Sequence, residues 1–179
     1  IFKENYNTNH KLILGINSIN ENKIYNSLVA LNNKSEILYK YNKNKLVPFG
    51  EFLPFEDFFK KFSIKKITQG YQSFSSDNKR EILDIYQLKF IPLICYEIIY
   101  SGKINPNKNY YDFILNISED GWFGKSIGPE QHFSHSIFRS IEEGKNVIRS
   151  SNNGISAFVN PKGQIIKKIN EKGYFDVNK

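Results

Sequence analysis

Apolar residues fall in short runs, and most runs end at asparagine, glycine or proline. Residues 11–16 and 91–95 are apolar almost throughout, the pattern of strands buried on both faces. Residues 25–31 and 36–41 flank Asn32-Asn-Lys-Ser35 and predict a hairpin, since asparagine tolerates the backbone geometry of such turns. Segments 111–117, 146–150, 155–159 and 164–169 read as further strands, with Asn160-Pro-Lys-Gly163 as the turn before the last. Segment 46–54 carries two prolines and a glycine and predicts an ordered loop, followed by a short aromatic helical turn over 55–62. One clear helix is predicted. Pro129 suits its first turn, Phe133, Ile137, Phe138 and Ile141 recur at helical spacing, and Gly144 ends it. The expectation is that Phe133, Ile137 and Phe138 pack inward. Strands, hairpin turns and one helix imply an α+β (α/β layered) fold. No internal repeat or composition break divides the chain, so 1–179 reads as a single domain.

Composition narrows the class. The 179 residues are 40% hydrophobic and 15% aromatic, enough for a packed core and unlike a disordered chain. Methionine is absent and the first residue is Ile1, so the expectation is a piece of a longer protein. Lys and Arg number 25 against 18 acidic residues, giving +7. These charges are scattered among asparagines, which favours solvated surface over a nucleic-acid face. The densest cluster, Lys60, Lys61, Lys65 and Lys66, suits solvent or lipid headgroups. A single cysteine excludes an internal disulfide and a thiolate zinc cage. His132 and His135 lie three apart on the predicted helix, but no third ligand follows at suitable spacing, so no metal is expected. The longest apolar stretch, 90–100, contains Glu97 and is too short to cross a bilayer.

Cys95 closes a predicted strand, where a nucleophile is exposed at the sheet edge beside amides able to bind an oxyanion. A small buried hydrophobe is the bland alternative. Lys43 follows the first hairpin; beside a thiol, a lysine lowers the thiol's pKa and stabilises a tetrahedral oxyanion. The alternative is one more surface lysine. Glu51 orients that lysine, or is an ordinary loop carboxylate. Trp122 reads equally well as a core or a pocket aromatic.

Read in order, five segments narrow the choice. They are Lys43-x-x-Leu-Val-Pro-Phe-Gly-Glu51, Ile94-Cys-Tyr-Glu97, Asn116-Ile-Ser-Glu-Asp-Gly-Trp-Phe-Gly124, Gly128-Pro-Glu-Gln-His132 and Arg149-Ser-Ser-Asn-Asn-Gly154. Together they resemble the nitrilase (carbon-nitrogen hydrolase) superfamily and, within it, the apolipoprotein N-acyltransferases. The resemblance implies a four-layer α-β-β-α sandwich and a Glu-Lys-Cys site. It makes Cys95 the nucleophile, Lys43 the triad lysine and Glu51 the additional glutamate beside it. Tyr96 and Glu97 become neighbours of the acyl pocket, with the Tyr96 N–H as an oxyanion donor. Phe49 and Trp122 join the substrate-binding set.

The implied activity moves a fatty acyl chain from a phospholipid, through a cysteine thioester, to the N-terminal amine of a diacylglyceryl-lipoprotein. It needs no cofactor. Its place is the bacterial inner membrane, with the catalytic domain on the periplasmic side. The aromatic segment bearing Phe49, Phe52, Phe55, Phe58, Phe59 and Phe62, with Phe74 beyond, becomes a lid meeting the bilayer surface. Two departures stand out. Glu119 replaces the family's asparagine and is expected to face outward. The family's base glutamate should precede Lys43 in a Trp-Pro-Glu setting, and Glu4, Glu21 and Glu36 all lack it; the base is expected before Ile1. Arg139 and Arg149 are expected to be structural. The alternatives are a soluble amidase of the same superfamily and a non-catalytic basic binding protein.

Overall fold

The computed structural model describes residues 7–52, 54, 73–105 and 107–169. The expected helical turn over 55–62, the lysine cluster at 60–66 and Glu4 lie outside the described residues. The chain divides into two compact units, Ile1–Lys79 and Arg80–Lys179.

The first unit carries a three-stranded antiparallel sheet in the order β1-β2-β3, formed by Leu12–Asn20, Lys23–Leu31 and Ile37–Asn42. The β2–β3 hairpin turns over the predicted asparagine-rich segment, where the side chain of Asn32 accepts from the Lys34 and Glu36 amides at 2.9 Å each. The β1–β2 hairpin is tighter. Asn20 pairs with Lys23 across Glu21 and Asn22, both at positive φ (47° and 63°), the geometry of a primed two-residue turn. β2 is buried on both faces from Ser27 to Ala30.

The second unit is a six-stranded mixed sheet in the order β4-β5-β6-β7-β8-β9. Its strands are Leu83–Ile85, Leu88–Ile94, Phe113–Glu119, Asn146–Asn152, Ser156–Val159 and Ile165–Ile169. β5, β6 and β7 run parallel, and the outer pairs β4–β5, β7–β8 and β8–β9 are antiparallel. Helix α1, Gly128–Glu143, connects β6 to β7. Pro129 lies in its first turn, and Gly144 ends it in the left-handed conformation at φ 61°. Ile91, Leu93, Ile98, Ile114, Phe133, Val147, Ala157 and Val159 build the core of this unit.

The inward face of α1 differs from the expected one. Phe133 is buried, but Phe138 is 53% exposed, and His132, Ser136, Arg139 and Ser140 face inward instead. Of these, His132 joins a buried polar network with Asp120 and Arg149, described below, and that contact turns the helix away from the stripe that hydrophobicity alone selects. Among the described residues no helix is long and apolar enough to cross a membrane.

Candidate functional site

Parallel strands present their carboxyl ends on one edge, the edge at which open α/β sheets place ligands. In the second unit that edge carries Cys95 after β5, Asp120 after β6 and Asn152 at the end of β7. Cys95 opens a one-turn 3-10 helix, Cys95–Ile99, at φ 51°. A side-chain-bearing residue in that conformation is disfavoured by about 1–3 kcal/mol, and such strain persists only where surroundings enforce it. Cys95 is half-buried. It is thus not among the fully buried residues, and it stands at the sharp turn that follows β5.

What enforces the turn is visible. Glu97 is fully buried and turns back to accept from the Ile94 N–H at 2.9 Å, while Arg80 donates to its other oxygen at 3.3 Å. The Cys95 carbonyl accepts from Asn116 Nδ2 and faces His132 Nε2, both at 3.3 Å. Behind these lies a buried charged group. Arg149 Nη2 donates to both oxygens of Asp120 at 3.0 and 2.8 Å, and Arg149 Nη1 donates to Asn116 Oδ1. Arg149 Nε donates to the Ile155 carbonyl at 3.2 Å. His132 Nδ1 lies 2.8 Å from Asp120 Oδ1 and 3.1 Å from Arg149 Nη2. Burial alone would raise the pKa of Asp120. The His132 hydrogen bond, the charge of Arg149 and the Ser118 hydroxyl outweigh it and hold the carboxyl well below the usual carboxylate range.

In the first unit, Lys43 is 1% exposed, so it is not the ordinary surface lysine of the bland alternative. Its ammonium donates to both oxygens of Glu51, at 2.9 and 2.8 Å. Glu51 also accepts from Asn26 Nδ2 at 2.8 Å and from the Val47 N–H at 2.9 Å. Four hydrogen bonds from three groups thus fix this carboxylate, and the fixed carboxylate fixes the lysine. The backbone repeats the arrangement: the Lys43 N–H donates to the Asn26 carbonyl at 2.8 Å, and Lys43 is joined to Asp77 through its own carbonyl at 3.0 Å. The predicted loop is ordered by the Pro48–Phe52 bridge, with Phe49 at φ 62°. A buried ion pair adds little net stability over apolar packing, so its presence asks for another reason.

The remaining expected residues fall as follows. Tyr96 is half-buried, its ring 6.2 Å from that of His132. Phe49 is 42% exposed and Trp122 is 60% exposed, which removes the core reading of Trp122. Glu119 bonds to the Gly121 N–H at 2.7 Å, to Asn153 at 2.9 Å and to Asn152. Arg149 is buried and bonds to the Asp120 carboxylate as well as to the Ile155 carbonyl. The Asp120–His132–Arg149–Asn116 group was not legible as a unit, although each of the four lies in one of the segments that carry the family resemblance.

Comparison with known proteins fits this geometry. The carbon-nitrogen hydrolase family matches residues 5–174. An apolipoprotein N-acyltransferase of Rickettsia typhi is 42% identical over 171 residues, 91% of this chain and 34% of that protein. One from Rhizobium rhizogenes is 38% identical over 159 residues, 87% of this chain and 30% of its own length. The chain spans about a third of the length of these curated relatives. Among solved structures, a CN-hydrolase superfamily protein from Xanthomonas campestris, with an arsenic adduct in its active site, aligns with TM-score 0.62 at 14% identity. That alignment covers 90% of this chain and 59% of that one. An amidase from Nesterenkonia sp. AN1 in complex with butyramide aligns with TM-score 0.64 at 14% identity, covering 89% and 57%. At such identity these structures establish the α+β fold of the superfamily and nothing more. With the family matched along almost its whole length, this chain belongs to the carbon-nitrogen hydrolase family.

Proposed function

We propose that this chain carries the acyl-transfer site of an apolipoprotein N-acyltransferase. The observation that carries the reading is 38–42% identity, over about nine-tenths of the chain, to proteins of that name. The local geometry supports it: a strained, half-buried cysteine at a strand end, and a buried lysine held by a carboxylate. In this reading Cys95, Lys43 and Glu51 are catalytic, and Tyr96, Glu97, Phe49 and Trp122 border the acyl chain.

The Cys95 thiolate attacks the ester carbonyl of a phospholipid. A C–S bond forms as the carbonyl π pair moves to oxygen. Collapse of that oxyanion breaks the ester C–O bond and expels the lysophospholipid alkoxide, which takes the proton that left the thiol. The acyl chain is now a thioester. The N-terminal amine of a diacylglyceryl-lipoprotein attacks it, thiolate leaves, and the amine surrenders a proton to give an amide. Protons pass through a carboxylate base, the part the resemblance expects ahead of Lys43. Lys43 spends two N–H groups on Glu51, and its third serves the oxyanion in each half-reaction together with the Tyr96 N–H. The activity places the protein at the bacterial inner membrane, with the site on the periplasmic side.

The test is acyl transfer from labelled phospholipid to a lipoprotein amine by the full-length protein. Cys95→Ser and Lys43→Ala are each expected to abolish transfer. Transfer that survives Cys95→Ser at the unaltered rate would refute the reading.

A further inference from the structure

The closed set of side chains behind Cys95 has no part in the chemistry above. Asn116 and His132 both turn a nitrogen onto the Cys95 carbonyl, and both are linked through Arg149 and Asp120 to each other. All four are buried. A structural ion pair would be complete with Arg149 and Asp120 alone. Instead, the chain of contacts runs from the Cys95 oxygen through Asn116, Arg149, Asp120 and His132 and returns to the same oxygen.

That oxygen belongs to the peptide whose N–H is Tyr96's. A trans peptide is planar, with C=O and N–H pointing in opposite directions. Two nitrogens on the oxygen therefore fix where the Tyr96 N–H points, and polarising the carbonyl strengthens that N–H as a donor. The same plane sets the direction of the Cys95 side chain at its left-handed φ. We propose that Asn116, Asp120, His132 and Arg149 are positioning residues that hold the Cys95–Tyr96 peptide, and with it the thiol, in the reactive orientation. This inference rests on the reading of Cys95 as the nucleophile.

The test uses the full-length protein and two readouts on Cys95: the rate of alkylation by iodoacetamide, and the amide I frequency of a carbon-13-labelled cysteine carbonyl. His132→Phe keeps a ring beside Tyr96 and Phe123 (6.2 and 5.6 Å between centroids in the native protein) but removes the nitrogen facing the carbonyl. It is expected to slow alkylation and the acyl-transfer kcat by about tenfold to a hundredfold, with KM within about twofold, since small misplacements of a reacting group act on this scale. The labelled amide I band should move to higher frequency. His132→Gln, which restores an N–H donor, should recover most of the rate and the frequency. Should His132→Phe fail to fold, Asp120→Asn serves, because it keeps the shape but weakens the hold on His132; a several-fold slower alkylation is expected.

Wild-type alkylation rate in folded His132→Phe or Asp120→Asn, or equal losses in His132→Phe and His132→Gln, overturns the proposal. Survival of acyl transfer in Cys95→Ser overturns the nucleophile reading instead, and the two failures are distinct.

Discussion

Replacing Arg149 by methionine tests whether the buried charges were assigned correctly. The side chains of Arg149 and Asp120 are both 0% exposed. Arg149→Met fills much of the same volume but deletes two hydrogen bonds to Asp120, one to Asn116 and one to the Ile155 carbonyl, together with the 3.1 Å contact to His132 Nδ1. Asp120 Oδ1 keeps Ser118 at 2.8 Å and His132, whereas Oδ2 has Arg149 as its partner among the described hydrogen bonds. A buried carboxylate stripped of its cation costs about 3–5 kcal/mol. Against a total stability of about 5–15 kcal/mol that is a large share. In urea, with an m-value of about 2 kcal/mol/M, the midpoint should fall by roughly 2 M. Salt will not reproduce the effect, because a dry pair is poorly screened. Adding Asp120→Asn to Arg149→Met removes the orphaned charge, so the double variant should lose less than the two single losses combined, by about 0.5–3 kcal/mol. A midpoint shift below about 0.5 M, or strict additivity in the double variant, would mean that Asp120 does not depend on the charge of Arg149.

Other outcomes follow from the same geometry. In Gly154→Ala the new Cβ would sit 2.1 Å from Asp120 Oδ2 and 2.6 Å from Ser151 Oγ. Such overpacking should cost about 1–3 kcal/mol in urea unfolding, and Cys95 alkylation should slow with it. Gly163→Ala meets Ile141 at 2.6 Å on a backbone at φ 77°, so it should destabilise the fold without changing Cys95 reactivity. Two pKa depressions at buried or partly buried groups make stability depend on pH. His135 is held below its usual 6.5 by burial and by the charges of His132 and Arg139. The unfolded chain therefore takes up its proton first, and stability present above about pH 6.5 is lost as pH falls. Asp120, also depressed, contributes fully above about pH 4 and loses that contribution on further acidification. Unfolding midpoints should be level from about pH 7 to 8, decline first below about 6.5 and fall steeply below about 4; His135→Asn should remove the first decline alone.

Helix α1 was legible because its signals are local: Pro129 near one end, Gly144 at the other, apolar residues between. Its buried face was not, because His132 turns inward toward Asp120, Arg149 and the Cys95 carbonyl, all distant in sequence. Two hairpins also escaped. Glu21-Asn22 and Tyr86-Gln87 adopt positive φ at both turn positions without a glycine, and the second creates β4, which has no apolar run of its own to mark it. The site was partly readable. Lys43, Glu51 and Cys95 were singled out through the order of motifs, whereas Asn26, which shares Glu51 with Lys43, sits on β2 and carries no local mark. The group behind Cys95 draws on β6, α1 and β7, and only the fold assembles it.

The proposed acyl transfer requires that an acyl group reside for a time on the sulfur of Cys95. The full-length protein, incubated with phospholipid and no acceptor, digested and weighed by mass spectrometry, should show a fatty acyl adduct on the peptide containing Cys95. That adduct should be released by hydroxylamine and fail to form in Lys43→Ala. Transfer to a lipoprotein amine with Cys95 unmodified throughout, or with the acyl group on another side chain, would contradict the account.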